Sequence, residues 1–263
     1  MLITLLTDFG LSGPYVASMK GVILSICPDA RIVDISHTIA PQNVEEAAFV
    51  LHRIWRDFPE GTIHAAVVDP GVGSARAALG VHACGHIFLA PDNGILKHVF
   101  DACPERQIFH LTNETCFRTP VSATFHGRDI FASVAAHLAR GVPLESMGDP
   151  FDGYMTGDVK KPVRQSDRID GEILYVDGFG NGVTNIPEEM IPDMSNVTIQ
   201  IHKIQIKGLV RTYADVPSGN MLALTGSGGT LEISMRNGCA SGKVPFVAGD
   251  SVTVLMHPNS ATQ

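Results

Sequence analysis

The apolar residues of this 263-residue chain follow one rhythm up to about Gly153 and another beyond it. That change limits the available folds more than any other feature. In the first part, short apolar runs alternate with segments of helical spacing. Leu2–Leu6 has β character, and Val16, Met19, Val22, Ile23 and Ile26 then recur at helical intervals across Pro14–Ile26. Arg31–Ile35 predicts a second strand and Thr62–Val68 a third, buried one. Between them Asn43 and Glu46 have the spacing of a capping box, and Ala47, Val50, Leu51 and Ile54 form the apolar stripe behind it. Gly127–Ala139 predicts another helix, with Ile130, Phe131, Val134 and Leu138 on one side. Strands alternating with helices imply an α/β domain with a mostly parallel sheet.

Beyond Gly153 the helical period is lost. Lys160–Arg168 is polar, contains Pro162 and reads as a linker. Short β segments follow at Glu172–Val176, Val197–Ile201, Met221–Leu224, Leu231–Ser234 and Val252–Leu255. Turn signals separate them: Asp177-Gly178, Asn181-Gly182, Ser227-Gly228-Gly229 and Asn237-Gly238. This pattern predicts a smaller, all-β barrel or sandwich. The expected division is an α/β domain over 1–155, a linker over 156–168 and a β-barrel domain over 169–263.

Composition narrows the function. The net charge is −8 and no Lys/Arg cluster is present, which argues against a nucleic-acid partner. No apolar run approaches the roughly 18 residues of a membrane helix. The N-terminal MLITLLTDFG reads as a core strand rather than a signal peptide. Cys27, Cys84, Cys103, Cys116 and Cys239 are odd in number and form no CxxC, so no disulfide framework is expected and a reducing cytoplasm fits.

Five clusters carry candidate chemistry. Thr7-Asp8-Phe9-Gly10 lies at the carboxyl end of the first strand, where α/β sheets bind ligands. The Asp8 carboxylate offers two acceptor oxygens to a ribose diol, or simply turns the chain. Asp69-Pro70-Gly71-Val72-Gly73-Ser74-Ala75-Arg76 follows the third strand. It lacks the Lys-Ser/Thr ending of a phosphate loop, and Asp69 with Arg76 reads equally as a structural ion pair. Thr124-Phe125-His126-Gly127-Arg128-Asp129 precedes a helix; His126 there is a catalyst or a cap, and Asp129 suits the helix dipole. Asp177 to Asn185 and Thr225 to Glu232 are polar loops of the β half, suited to ligand groups or to hairpin turns. His82, Cys84 and His86 alternate and would share a face of one strand, but the spacing is unlike a zinc site and Gly85 suggests a turn. No metal is expected.

In order and spacing these clusters together resemble the S-adenosyl-L-methionine (SAM) hydrolases, or SAM hydroxide adenosyltransferases, relatives of the bacterial fluorinase and chlorinase. The resemblance runs from Leu5-Leu6-Thr7-Asp8-Phe9-Gly10 to Leu231-Glu232-Ile233. It implies an N-terminal α/β domain and a C-terminal β barrel. It also implies attack of a water-derived hydroxide on C5′ of SAM, giving adenosine and methionine without a cofactor. Asp69, Arg76 and His126 match the set that binds and activates the water. Asp8 matches a grip on the ribose hydroxyls, Asp177 a contact to the methionine amino group and Ser227 one to its carboxylate. Phe179 and Asn181 match the adenine side, where the loop ending near Asn237 offers backbone groups. Glu232 and Met235 complete the implied substrate-binding set.

The fluorinase carries Tyr-Ser where this chain has His126-Gly127, so the hydroxide branch fits better. Gly228-Gly229-Thr230 stands where Ser-Gly-Tyr is commoner. The resemblance further implies a homotrimer with sites at subunit interfaces. Two other readings stay open on the residues: halide transfer to the same carbon, and a non-catalytic SAM-binding protein that has no need of Arg76 or His126.

Overall fold

The first strand, β1 (Leu2–Thr7), takes its neighbours on both sides from later in the chain, which puts it inside a sheet. The computed structural model describes residues 1–257. The chain divides into two units, Met1–Val159 and Lys160–Gln263, so the boundary falls inside the segment read as a linker.

In the first unit β1 is followed by α1 (Tyr15–Ile26), β2 (Arg31–Ser36), α2 (Val44–Ile54) and β3 (Ile63–Val67). Next come β4 (Ala78–Ala83), β5 (His86–Pro91), α3 (Lys97–Ala102), β6 (Arg106–Leu111), α4 (Ser133–Ala139) and β7 (Gly148–Pro150). The seven strands lie in the order β2-β1-β3-β5-β4-β6-β7. The expected parallel pairing holds across β2, β1, β3 and β5. The remaining pairs are antiparallel, so the sheet is mixed. The cause is local: Cys84 (φ 48°) and Gly85 (φ 77°) form a two-residue turn between β4 and β5.

That turn also separates His82, exposed on β4, from His86, buried on β5, so the three alternating side chains share no strand face. Cys84 is instead joined to Cys103, with Cα atoms 5.9 Å apart, contrary to the expectation of no disulfide. The hairpin tip and the residue that ends α3 meet in space, and a spacing of 19 residues carries no local sign of it.

Strand alternation feeds two apolar layers. Ile3, Leu5, Ile63, Ala65 and Val67 face Met19, Ile23, Phe131 and Val134 from α1 and the helical segment ending in α4. Leu6, Ala66, Val68 and Phe88 face Ala47, Leu51 and Trp55 on the α2 side. Each fully buried Leu, Ile or Val contributes about 1.5–3 kcal/mol. Asn43 caps α2 by accepting the Glu46 N–H, while the Glu46 carboxylate takes the Ala40 N–H and the Asn43 amide. The helix predicted over Gly127–Ala139 begins as a π-helical turn, Gly127–Ala132, and continues as α4.

The second unit contains β8 (Val163–Arg164), β9 (Arg168–Val176), β10 (Gly182–Pro187), β11 (Val197–Ile201) and β12 (Ile204–Lys207). After these come β13 (Met221–Thr225), β14 (Thr230–Met235), α5 (Ala240–Lys243) and β15 (Ser251–Met256). Their antiparallel sheet runs β12-β11-β15-β9-β10-β14-β13, with β8 added on β9. β8 lies within the predicted linker. The Val210 N–H bonds Ala223 O at 2.9 Å and draws the two ends of the sheet together, so the barrel nearly closes. Its interior is aliphatic, with Ile169, Ile173, Ile199, Ala223, Leu231, Ile233, Val252 and Val254. No helix among the described residues is long and apolar enough to cross a membrane.

Candidate active site

Parallel pairing of β1 with β3 carries Asp8 and Asp69 to the same edge of the sheet, the edge where α/β proteins bind ligands. Both line a cleft of about 670 Å³, with Gln42, Thr124, Phe125 and Arg128 among its walls. Rings of Phe9, Tyr15 and Phe125 pack beside them, with centroids 5.7 Å apart for Phe9–Phe125 and 5.3 Å for Tyr15–Phe125. The Asp8 carboxylate accepts the Gln42 N–H at 2.8 Å, which leaves acceptor capacity free for a ligand diol.

The loop after β3 turns tightly on two hydrogen bonds, Val72 N–H to Asp69 O and Ser74 N–H to Gly71 O. Gly73, at φ 77°, is obligatory: a Cβ there would sit 2.4 Å from Ala123 O. This close approach sets the loop against the segment that ends in His126. Arg76 then closes back on Asp69. Its Nε lies 2.9 and 3.0 Å from the two carboxylate oxygens, and Nη2 also contacts Oδ2. Both side chains are nearly buried. The same Nη2 lies 2.8 Å from His126 Nδ1. Asp69, Arg76 and His126 therefore form one connected set.

The chemistry of the set follows from Arg76. A guanidinium has donors and no acceptor, so Nδ1 of His126 must be the acceptor. The imidazole is then neutral, with its proton on Nε2. Burial, followed by the Arg76 charge, holds the His126 pKa below the ordinary 6.5, against the opposing pull of Asp69 and Asp129. His126 thus offers a neutral N–H donor.

Asp129 does not act as a surface partner of a helix dipole. It is fully buried and collects the Ser122 N–H at 2.8 Å, Arg118 Nη1 at 3.2 Å, and Arg128 Nε and Nη2 at 2.6 and 3.0 Å. It fixes the Ser122–Phe125 wall of the cleft. Sequence reading missed Gln42, Phe9 and Tyr15 as walls, because none of these residue types carries a chemical signature by itself.

The second unit holds the other candidates. Asp177 accepts the Phe179 and Asn181 N–H groups at 2.9 and 2.8 Å and Asn181 Nδ2 at 3.0 Å, so its carboxylate organises its own loop. Asn181 is buried, whereas Phe179 is 80% exposed. Ser227 stands in a turn closed by Gly226 N–H to Thr230 O and Gly229 N–H to Gly226 O. Glu232 is buried and accepts from Tyr213 Oη at 2.7 Å and Ser234 Oγ at 2.6 Å. Burial, then Glu232 and Asp177, push the Tyr213 hydroxyl up to about 12. Tyr213 was not anticipated. Met235 ends β14 against Gly238, and Asn237 (φ 53°) donates to Ser218 Oγ at 3.3 Å. No group of three His, Cys, Asp or Glu able to hold a metal occurs among the described residues.

Comparison with known proteins gives a consistent result. Residues 3–148 match the SAM hydroxide adenosyltransferase N-terminal domain, and residues 171–253 match the corresponding C-terminal domain. A relative from Thermus thermophilus named (R)-S-adenosyl-L-methionine hydrolase is 35% identical over 258 residues, covering 95% of this chain and 98% of that one. A fluorinase from Nocardia brasiliensis is 31% identical over 212 residues, covering 70% of this chain and 71% of its own. A solved structure of a conserved protein from Thermotoga maritima matches with a TM-score of 0.91 and 38% identity, covering 97% of this chain and 100% of that one.

Proposed function

This chain belongs to the SAM hydroxide adenosyltransferase family, and from that premise we propose that it hydrolyses S-adenosyl-L-methionine to adenosine and L-methionine. The observation that carries the reading is the connected Asp69–Arg76–His126 set beside a cleft that also holds Asp8. Halide transfer would need no such set, because a halide has no proton to give up.

In the proposed reaction a water oxygen forms a bond to C5′ of the substrate. The C5′–S bond breaks, and its electron pair goes to sulfur, leaving neutral methionine. A sulfonium on a primary carbon leaves readily, so the barrier lies in presenting a desolvated, in-line oxygen. Such positioning is worth about 7–11 kcal/mol in favourable cases. Arg76 and the Nε2–H of His126 donate to the developing hydroxide and stabilise its charge. Asp69 takes the water proton, because Arg76 has no acceptor and the His126 lone pair already receives Arg76. Asp8 receives the ribose diol. Asp177 and Ser227 take the amino-acid end, Phe179, Asn181 and Asn237 the adenine side, and Glu232 and Met235 back these loops. This chemistry calls for no cofactor.

We further infer a homotrimer, in which the Asp8 unit of one chain works with the Asp177 unit of a neighbour. The support is the family resemblance together with the division of the candidate residues between two units. The cytoplasmic location expected from the sequence is part of the proposal, although the Cys84–Cys103 link is uncommon in that compartment, and cell fractionation tests it.

The deciding experiment incubates pure protein with SAM in ¹⁸O-labelled water. Adenosine carrying the label in its 5′-hydroxyl, with an equal amount of methionine, is the expected result. Tight binding without turnover would replace the reading with a SAM-binding protein. A 5′-halo-5′-deoxyadenosine formed faster than adenosine would replace it with halide transfer.

A further inference from the structure

Behind Asp8 lies a buried relay that the proposed reaction does not use directly. Thr7 is fully buried, and its Oγ1 lies 2.8 Å from His37 Nδ1. His37 is 3% exposed, and its Nε2 lies 3.0 Å from Asp34 Oδ1. The other Asp34 oxygen accepts Lys20 Nζ at 2.6 Å. On the near side, Thr7 Oγ1 accepts the Phe9 N–H at 3.2 Å, and the His37 carbonyl accepts the Gly10 N–H at 2.7 Å. Five residues on from His37, Gln42 donates its N–H to Asp8 Oδ2.

Asp34 faces Nε2 at ion-pair distance without the alignment of a hydrogen bond, and the Thr7–His37 hydrogen bond runs in the direction that the ring's tautomer sets. In either tautomer Thr7 Oγ1 receives the Phe9 N–H. A hydroxyl, an imidazole and a carboxylate in series have the order of a nucleophilic triad, yet Thr7 has no access to solvent and cannot attack a substrate. What the relay fixes is backbone: Thr7 is tied to the His37 ring, Phe9 to the Thr7 hydroxyl and Gly10 to the His37 carbonyl, and residue 8 lies between them.

We propose that His37 is a positioning residue for the ribose diol, holding the Asp8 carboxylate through Thr7 and Gly10. The proposal rests on the reading of Asp8 as the ribose contact. Since Gln42 sits at φ 65°, a conformation non-glycine residues seldom adopt, its N–H also reaches Asp8 only while the loop after His37 keeps its path.

Calorimetry on the full chain with adenosine and with 2′,3′-dideoxyadenosine tests this, alongside SAM kinetics. Thr7→Val removes the hydroxyl at constant shape. It is expected to weaken adenosine binding and raise KM for SAM by about tenfold, the loss of one buried hydrogen-bond link, with kcat within about threefold. Dideoxyadenosine, which lacks the diol, is expected to bind both proteins alike, and Thr7→Ser is expected to restore adenosine binding. Asp34→Asn, at the more exposed end of the relay, provides a milder variant, with folding checked by circular dichroism and about a threefold effect of the same selectivity expected. Equal losses for both nucleosides, or no loss for either, would overturn the positioning role. Wild-type protein that binds both nucleosides equally would overturn the ribose reading itself, while hydrolysis of SAM would still be measured independently.

Discussion

His126 shows how one neighbour decides what a side chain does. Its residue type permits a base, an acid or a cap. Only the contact with a guanidinium at 2.8 Å makes it a neutral donor. Protonating it would place two cations face to face and break that contact. Loss of kcat on acidification is therefore expected below pH 6.5, since burial and Arg76 depress its pKa. A pH–rate profile checks this, and a limb that stays in place in His126→Gln belongs to another group. Asp69→Ala, Arg76→Ala and His126→Ala should each lower kcat at least about a hundredfold with smaller changes in KM, because the proposed reaction has them act on the nucleophile. The identities of these three residues were legible in the sequence only as a family pattern; their separations, 7 and 50 residues, carry no periodicity that announces a contact. His64, which the sequence placed only inside a strand, likewise takes its character from its neighbours. It is buried between Thr4 (2.8 Å) and His86 (3.1 Å), and burial, then His86, lowers its pKa from 6.5 to about 3. The unfolded chain binds this proton at higher pH than the folded one, so the folded state loses stability as pH falls below 6.5. Denaturant titrations across pH should show that decline, and His64→Phe should flatten it.

At the level of elements, periodicity revealed β1, α1, β2, α2 and β3, whose apolar residues repeat cleanly, together with most strands of the barrel. It failed where local chemistry overrides period. The β4–β5 hairpin carries its antiparallel sense in two positive-φ residues, one of them a cysteine, and so the mixed half of the sheet was hidden. β10 was read as a loop because its start lies in the glycine-rich Asp177–Asn185 cluster. The π-helical turn after His126 looks like ordinary helix in sequence, since an extra residue in one turn leaves the apolar stripe almost intact; such turns are frequent at functional sites. The Cys84–Cys103 link ties the hairpin to the end of α3 and closes a loop whose chain-entropy contribution is about 3 kcal/mol. Cys84→Ser should therefore lower Tm by several degrees in calorimetry. kcat and KM should be unaffected, because neither cysteine lines the cleft that holds Asp8 and Asp69.

Over the whole molecule, two units carry separate apolar cores, one pair of layers around the mixed sheet and one barrel interior. If the proposed site joins units from neighbouring chains, two inactive proteins should rescue each other. Asp8→Ala and Asp177→Ala, mixed under conditions of subunit exchange, should recover activity at interfaces that pair an intact Asp8 with an intact Asp177. Absence of recovery, with exchange confirmed by native mass spectrometry, would confine the site to one chain and leave hydrolysis untouched. The separation of cores has a consequence for descent. The residues proposed to handle the attacking atom all lie in one unit, and those proposed to handle the amino-acid end all lie in the other. A lineage can then trade one attacking species for another by changes in a single half of the gene, while recognition of the amino-acid end of the substrate is inherited intact in the other half.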